Sequence, residues 1–274
     1  MHTTLQGASL RAKCDEVRRR TLLIHRDAPE TRIASSLSPV EILVALYYGG
    51  VMAYDPSNPA WPDRDRLIVS KGHGSVSFYP ILADLGYFPA EELDRVCKAG
   101  GILGGIPDCV IPGYETTNGS LGHGPGVGCG MAIGLRAKGK AAHVFVLTGD
   151  GELYEGACWE AFMLAGAQGL GNLTVVVDAN RAAMLDWTRN IIDLEPLGGK
   201  FTAFGWDVEE VDGHDVEALK GALLALKGRS TSRPAVLIAR TLKGRGVPRL
   251  ERDPLSHIRT LTPGEIDELL GGRA

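Results

Sequence analysis

The sequence predicts an α/β fold in which helices cover both faces of a doubly wound parallel sheet. Short apolar runs rich in β-branched residues alternate with helix-length segments along nearly the whole chain. This alternation is typical of parallel sheets, because each crossover helix returns the chain to the end where the previous strand began. Two runs, 143–148 and 173–177, flank one helix-length segment and therefore predict a right-handed βαβ unit.

The other elements follow from the same patterns. Strands are predicted at 66–69, 207–211 and 235–239, and helices at 5–27, 38–48, 75–85, 89–98, 124–138, 152–168, 196–204 and 216–226. Capping boxes, with Pro at the first helical position, predict the helix starts at Ser38 and Thr262. Residues 100–119 form a long irregular stretch whose glycine and apolar content is typical of a functional loop.

Composition limits the classes of protein that this chain can represent. It has 274 residues, 44% apolar and 23% charged, with a net charge of −4, which is ordinary globular composition. We expect neither a nucleic-acid nor a membrane partner, because no basic excess and no apolar run of about 18–20 residues is present. The five cysteines form no CxxC pair. We therefore expect a cytoplasmic protein with reduced thiols and no cysteine metal cluster.

Polar residues follow both strands of the predicted βαβ unit. Asp150 follows the first strand within Gly149-Asp150-Gly151, and Asn180 follows the second. Because the carboxyl ends of parallel strands form the ligand-binding edge of such sheets, the two side chains should lie close together. Their hard oxygens suit Mg²⁺ or Ca²⁺ completed by ligand phosphates. The two glycines let backbone amides approach a diphosphate closely.

Gly-Asp-Gly followed some thirty residues later by Asn resembles the metal–diphosphate motif of thiamine-diphosphate enzymes. The sequence of 149–161 resembles transketolase in particular. Further stretches that match this family in order are 35–38, 65–73, 112–113, 119–124, 194–197, 204–206, 211–215 and 241–247. The resemblance covers only the diphosphate-binding half of a full transketolase. It implies one thiamine-diphosphate-binding domain over residues 1–274. The pyrimidine-binding and C-terminal domains would belong to a partner subunit in an α2β2 assembly.

The resemblance also implies roles for individual residues. Asp150, Asn180 and the backbone carbonyl of Ala182 would bind the metal. The residues that would contact the cofactor are His73, Gly119, Leu121, Gly149, Asp150, Gly151, Glu152 and Asn180. The catalytic candidates are His73 and His257 near the reaction centre, and Glu155 and Glu160, which would relay protons between paired active sites. A structural role for the histidines, and a solvated one for the two glutamates, stay open as alternatives.

Three positions are implied to face the substrate. Arg32 and Ile106 stand where the family has histidines, and His123 stands where it has Gln or His. A fixed cation with a planar donor fork is not equivalent to an imidazole, and Ile removes the polar contact. We therefore expect a specialised substrate rather than the usual ketose phosphates. The stretch 181–187 also looks one residue longer than its family counterpart, which leaves its seating on the cofactor open.

The implied activity is transfer of a two-carbon ketol unit from a ketose donor to an aldehyde. The family's essential Glu lies in the missing domain, so this chain should be inactive without its partner. One alternative is a subunit of a 2-oxo acid ligase or synthase, in which Arg32 would meet a carboxylate. A second alternative is a non-catalytic scaffold subunit. The presence of Asp150, Asn180 and His73 argues against it.

Overall fold

Five strands form one parallel sheet in the computed structural model of the protein, which describes residues 4–271. The strands are β1 (Arg66–Val69), β2 (Val144–Gly149), β3 (Leu173–Ala179), β4 (Asp207–Asp212) and β5 (Ala235–Arg240). They lie in the order β1-β2-β3-β5-β4, and every neighbouring pair is parallel. All the predicted strands are present, and the predicted α/β class is confirmed.

Helices connect and cover these strands. They are α1 (Ala8–Asp27), α2 (Ile33–Leu37), α3 (Val40–Tyr48), α4 (Phe78–Leu85), α5 (His123–Ala137), α6 (Gly156–Gln168), α7 (Thr188–Ile191), α8 (Leu197–Ala203), α9 (Val216–Lys227), α10 (Pro248–Glu251) and α11 (Pro263–Leu269). Short 3-10 helices span Gly72–Ser77, Ala90–Arg95, Gly151–Tyr154 and Ser256–Ile258. No helix within residues 4–271 is both long and apolar enough to cross a membrane.

Several predicted helices differ from the observed ones at their starts. The first turns expected near 75 and 152 are 3-10 rather than α-helical, and the helix expected at 89–98 is a 3-10 segment with no buried residue. Helices α2, α7 and α10 are absent from the sequence-based prediction. Each has only four or five residues, which is too short for a helical repeat of apolar residues to be recognised.

Alternate residues of the central strands face two separate hydrophobic layers. Phe145 and Leu147 pack into a core formed with α1, α3, α4 and α9. Val144 and Val146 pack into a second core formed with α5, α6 and α8. Because side chains alternate across a strand, a sheet buried on both faces needs apolar residues at every position. This confirms the prediction that helices cover both faces.

The two predicted capping boxes have different outcomes. Thr262 and Glu265 form a reciprocal capping box at the start of α11, as predicted. Ser38 does not cap α3, and that prediction is wrong. Its hydroxyl donates instead to Asp178 Oδ2 at 2.6 Å, while Glu41 pairs with Arg18. Ser38 and Glu41 thus bind charged residues from distant parts of the chain and do not bind each other's backbone amides, as a capping box requires.

A third, smaller apolar cluster joins the end of the chain to α1 and α2. Leu22 and Ile33 pack there with Leu250, Leu261 and Ile266. This packing holds the segment between α10 and α11 beside α2. As a result, the 3-10 helix Ser256–Ile258 reaches the edge of the sheet where the polar residues collect.

Candidate cofactor and metal site

Asp150 and Asn180 lie side by side at the carboxyl edge of the sheet, as predicted. The parallel register pairs Gly149 of β2 with Asp178 of β3, so the residues that follow both strands emerge together. Asp150 Oδ1 accepts a hydrogen bond from Gly151 N at 2.8 Å, and its Oδ2 accepts one from Arg181 N at 2.6 Å. Both side chains are buried. The Asp150 carboxylate therefore links the two strand ends.

A small hairpin follows Asn180 and places the Ala182 carbonyl near the same edge. Ala182 forms an antiparallel bridge with Trp187, and Arg181 O accepts a hydrogen bond from Thr188 N at 2.9 Å. Arg181 starts the hairpin in the left-handed region, with φ of 61°. The stretch 181–187 thus forms a turn that is closed by the bridge between Ala182 and Trp187.

Lys243 brings a buried ammonium group to this edge from the loop after β5. Its Nζ donates to Ala182 O at 2.9 Å and to His257 Nδ1 at 3.1 Å. Burial, and then the charge of Lys71, lower the pKa of Lys243 to about 8. The sequence-based prediction gave Lys243 no role. The signal was its place in the stretch 241–247, which matches the family and follows the predicted strand 235–239.

His73 and His257 meet although they are far apart in the sequence. Their ring centroids are 4.8 Å apart, and His257 Nδ1 lies 3.4 Å from the Ser35 hydroxyl of α2. Burial, followed by the charge of Lys71, holds the pKa of His73 far below its ordinary value. Burial and then Lys243 lower the pKa of His257 to about 3. Both imidazoles are therefore neutral near pH 7 and can donate or accept hydrogen bonds.

Burial also governs the protonation of the Asp150 carboxyl. Burial, and then the negative charge of Asp178, raise the pKa of Asp150 to about 6. A bound divalent cation would reverse this effect, because it favours the ionised carboxylate. The raised pKa of Asp150 is thus due first to burial and then to Asp178, and the charge of Lys243 only partly offsets these effects.

Glu152 organises the loop that leads into α5. Its carboxylate accepts hydrogen bonds from Gly122 N at 2.9 Å, from Gly149 N at 3.2 Å and from the Ser70 hydroxyl. Gly119 and Leu121 lie in this loop, exposed and half-buried respectively. Both oxygens of Glu152 already accept hydrogen bonds from the protein. Glu152 therefore shapes the loop that carries Gly119 and Leu121, and its contact with the cofactor stays a prediction.

The remaining acid and histidine candidates lie away from the metal edge. Glu155 is the exposed residue before α6, Glu160 is exposed on α6, and His123 is the exposed first residue of α5. Within residues 4–271 their side chains make no hydrogen bond or ion pair. A Cβ atom at Gly122 would lie 2.6 Å from Glu155 Cβ, so Glu155 borders the 119–124 loop. Its proton-relay role, and that of Glu160, stay predictions.

Arg32 and Ile106 lie beside the histidine pair. The positive charge of Arg32 contributes to the lowered pKa of both His73 and His257. Ile106 Cγ2 would lie 3.4 Å from a Cβ atom at Gly72, the residue before His73. Both side chains are exposed. The fold thus brings together one cation, one apolar side chain and two neutral imidazoles, taken from four separate segments.

The residues at the edge fit a hard divalent cation. Asp150, Asn180 and Ala182 offer a carboxylate, an amide and a carbonyl oxygen, which are the ligands that Mg²⁺ and Ca²⁺ prefer. Within residues 4–271 no three His, Cys, Asp or Glu side chains group together as a metal site. This oxygen set would therefore need further oxygens from a ligand. A groove of about 830 Å³ borders Asp150 and Asn180, but its other walls come from 181–197, 212–214 and 240–251, and neither Gly151 nor His73 lines it. The groove therefore touches the metal edge without marking the position implied for the cofactor.

Comparison with known proteins places the chain among transketolase sequences. Residues 33–270 match the family model described as transketolase, thiamine diphosphate binding domain. The 6-deoxy-6-sulfo-D-fructose transketolase subunit SqwG of a Clostridium species is 39% identical over 84% of this chain and 83% of that protein. One of the subunits of the apulose-4-phosphate transketolase of Actinobacillus succinogenes is 35% identical over 94% of this chain and 93% of that protein.

Solved structures give the same assignment. The transketolase of Campylobacter jejuni superposes with a TM-score of 0.88 at 27% identity, over 97% of this chain but only 43% of that chain. The chain therefore spans less than half the length of this solved transketolase, whereas it spans most of the two subunits of similar length. On the family model and on both relatives, the chain belongs to the transketolase family and carries its thiamine diphosphate binding domain.

Proposed function

We propose that the protein is the thiamine-diphosphate-binding subunit of a two-subunit transketolase that transfers a two-carbon ketol unit from a ketose to an aldehyde. The observation that carries this proposal is the adjacency of Asp150 and Asn180 at the strand ends of a chain of this family. In this proposal residues 1–274 are one domain. The pyrimidine-binding and C-terminal domains belong to a partner subunit. The five thiols, all free, agree with a cytoplasmic location.

Asp150, Asn180 and the Ala182 carbonyl would hold Mg²⁺, with Ca²⁺ as a substitute. The metal would in turn bind the cofactor's diphosphate, because hard cations of this kind take phosphate oxygens as ligands. Gly151, whose amide donates to Asp150 Oδ1 at 2.8 Å, and the loop carrying Gly119 and Leu121 would border the cofactor. When bound, thiamine diphosphate supplies the electron sink that lets the donor's carbon–carbon bond break. The protein supplies binding, orientation and charge.

Two cations near the metal edge would have different tasks. Lys243 donates to the Ala182 carbonyl and to an imidazole, and its third contact is a longer one with the Ala183 carbonyl at 3.4 Å. Because an ammonium group has three donors, giving up this longer contact would let one proton face a phosphate oxygen. Lys71 is bound to Asp178 and is neutralised within the protein. We therefore assign diphosphate binding to Lys243. His73 and His257, held neutral beside it, would donate to or accept from groups at the reacting carbons.

Assembly with a partner is supported by apolar side chains left exposed near the site. Met163 and Leu164 on α6 are 48% and 45% exposed. Met184 and Leu185 are exposed at the tip of the hairpin after Asn180. Contiguous exposed apolar side chains are typical of interfaces between subunits. An α2β2 heterotetramer would cover both regions and place Glu155 and Glu160 between paired sites.

Substrate choice would depend on Arg32, Ile106 and His123. The two relatives of similar length are named for 6-deoxy-6-sulfo-D-fructose and apulose 4-phosphate, which supports a specialised sugar here as well. Arg32 makes no ion pair with any residue in 4–271. Its free guanidinium beside the histidine pair also favours a second candidate, a 2-oxo acid donor whose carboxylate it would bind.

The metal assignment is the point at which this proposal can be tested most directly. In the chain purified with its partner, Asp150→Ala should weaken Mg²⁺-dependent binding of thiamine diphosphate by more than about 100-fold, because a direct ligand counts for more than an outer partner. Calorimetry measures the affinity. Asp212→Ala, which removes an exposed carboxylate from the same groove, is the matched control and should bind normally. Cofactor affinity retained in Asp150→Ala would refute the assignment.

A further inference from the structure

Glu41 is a buried carboxylate that the proposed function does not use. It lies in the first turn of α3, is 6% exposed, and does not form the capping box that the sequence predicts. Each of its two oxygens binds a different side chain. Oε1 accepts a hydrogen bond from the Arg18 guanidinium of α1, and Oε2 lies 3.1 Å from Nδ1 of His214, in the turn between β4 and α9.

Both partners of Glu41 also bind the loop after β5. His214 Nε2 accepts a hydrogen bond from Leu242 N at 2.8 Å, and Arg18 Nη1 donates to Arg245 O at 3.2 Å. Because a backbone N–H can only donate, Nε2 of His214 carries no proton, and Nδ1–H is the group that donates to Glu41. The two hydrogen bonds therefore fix one tautomer and one orientation of this imidazole.

These two contacts lie on either side of Lys243. Leu242 directly precedes this residue, and Arg245 follows two positions later. Between them, Gly244 N donates to Ala34 O of α2 at 2.9 Å and anchors the turn itself. The network centred on Glu41 adds one anchor before Lys243 and one after it, so the backbone that carries the ammonium group is held on both flanks.

Two glycines allow this close approach. A Cβ atom at Gly213 would lie 2.3 Å from Thr241 Cγ2, so the turn that carries His214 packs directly on the start of the loop. A Cβ atom at Gly246 would lie 2.8 Å from Arg18 Cδ, and the φ of 89° at this position is in the left-handed region that favours glycine. Larger residues at these positions would push His214 and Arg18 away from the loop.

We propose that Glu41 is a positioning residue for cofactor binding. Its carboxylate orients Arg18 and His214, and these two side chains hold the backbone on both sides of Lys243. The Lys243 side chain is thereby kept at the metal edge, where it reaches Ala182 O. This inference rests on the proposed function, because it takes Lys243 as the residue that binds the diphosphate.

The test measures the Kd for thiamine diphosphate by calorimetry, at saturating Mg²⁺, in the chain assembled with its partner. Glu41→Gln keeps the shape of the side chain, but its NH₂ group cannot accept a hydrogen bond, so either Arg18 or His214 loses its acceptor. We expect the Kd to rise by about 3–10-fold, as for the loss of one hydrogen bond.

A double-mutant cycle with Lys243→Met separates positioning from a general structural effect. Once the Lys243 ammonium is gone, Glu41→Gln should have no further effect on the Kd, whereas a merely structural role would weaken binding equally in both backgrounds. Asp65→Asn is the matched control. Asp65 is also a buried carboxylate that binds a cation, Lys227, but it lies at the amino end of β1, so its variant should leave the Kd unchanged.

Two results would overturn the proposal. One is a folded Glu41→Gln complex that binds the cofactor with wild-type affinity, and the other is an equal loss with and without Lys243. Circular dichroism reports whether the variant folds. If it does not, His214→Leu removes the acceptor of Leu242 N, and wild-type affinity there would equally overturn the proposal. A wild-type complex that binds no cofactor, or a Lys243→Met complex with wild-type affinity, would instead contradict the proposed function on which the inference rests.

Discussion

Individual residues around the histidine pair decide what this site can recognise. His73 and His257 are neutral and half-buried, Arg32 is an exposed cation and Ile106 is an exposed apolar side chain. A site that hydrogen-bonds a substrate hydroxyl can reject the analogue lacking it by about 10⁴-fold, because buried polar groups are then left unpaired. Ile106 has no polar group, so it does not require a hydroxyl on the substrate. Arg32 adds a donor suited to a phosphate, sulfonate or carboxylate.

We therefore predict that the assembled enzyme is slow with xylulose 5-phosphate and ribose 5-phosphate. Arg32→His combined with Ile106→His should shift kcat/KM back toward this pair, because two imidazoles can again bond to sugar hydroxyls. Val110→His, at an exposed apolar position of the same 100–119 loop, is the matched control and should change nothing. The idea of a specialised substrate is wrong if the wild type turns over the standard pair at about 1–10³ s⁻¹, the range typical of enzymes.

At the scale of elements, helix α6 has two tasks. Its buried side, with Cys158, Phe162 and Ala165, packs into one of the two cores. Its outer side presents Met163 and Leu164 to solvent, beside an α5 that also exposes Val127. A helix with apolar residues on both sides is typical of one that is covered by another subunit.

We predict that Met163→Glu weakens self-association of the chain and its α2β2 assembly, because a charge would be buried in the interface without a partner. Size-exclusion chromatography with light scattering should show a homodimer for the wild type alone, a heterotetramer with the partner, and smaller species for the variant. Leu224→Glu is the control, since Leu224 on α9 is similarly exposed at 40% but lies on the opposite face of the sheet. A stable wild-type monomer with full ketol-transfer activity would contradict this arrangement.

For the molecule as a whole, buried neutral histidines make the free energy of unfolding depend on pH in acid. His25 bonds to the Thr31 hydroxyl at 2.7 Å and accepts from Leu261 N at 3.3 Å, and burial lowers its pKa to about 4. His143 bonds to Thr174, and burial lowers its pKa to about 4 as well. Because these folded-state pKa values lie below the unfolded value of about 6.5, protons bind preferentially to the unfolded chain in acid.

The sign of the effect follows from linkage. The stability contribution is fully present above pH 6.5 and is lost as the pH falls toward 4, by about 2 kcal/mol per histidine at pH 5. We predict that His25→Gln makes the free energy of unfolding less dependent on pH between 7.5 and 5. Urea denaturation at the two pH values measures this. His123→Gln, at an exposed histidine, should keep the wild-type dependence, and an unchanged dependence in His25→Gln would contradict the account.

Local sequence patterns were sufficient for much of the architecture. The strands, their alternation with helices, and the placement of Asp150 and Asn180 at neighbouring strand ends all follow from periodicity and from the geometry of parallel crossovers. The resemblance of 149–161 and of the other motifs to transketolase then predicted the cofactor, which the family model supports, and the two histidines, whose roles stay predictions. These features are readable because each depends on residues close together in the sequence.

Only the tertiary structure revealed the parts of the site that depend on contacts between residues far apart in the sequence. Lys243 reaches Ala182, His257 reaches His73, and four separate segments meet at Asp178, and no local pattern predicts such meetings. The two capping boxes illustrate the reason. Ser38 with Glu41 and Thr262 with Glu265 have the same local pattern, yet only the second forms a cap. Beside Ser38 the fold brings in a buried carboxylate, and a charge-assisted hydrogen bond is stronger than the neutral one that a helix end offers.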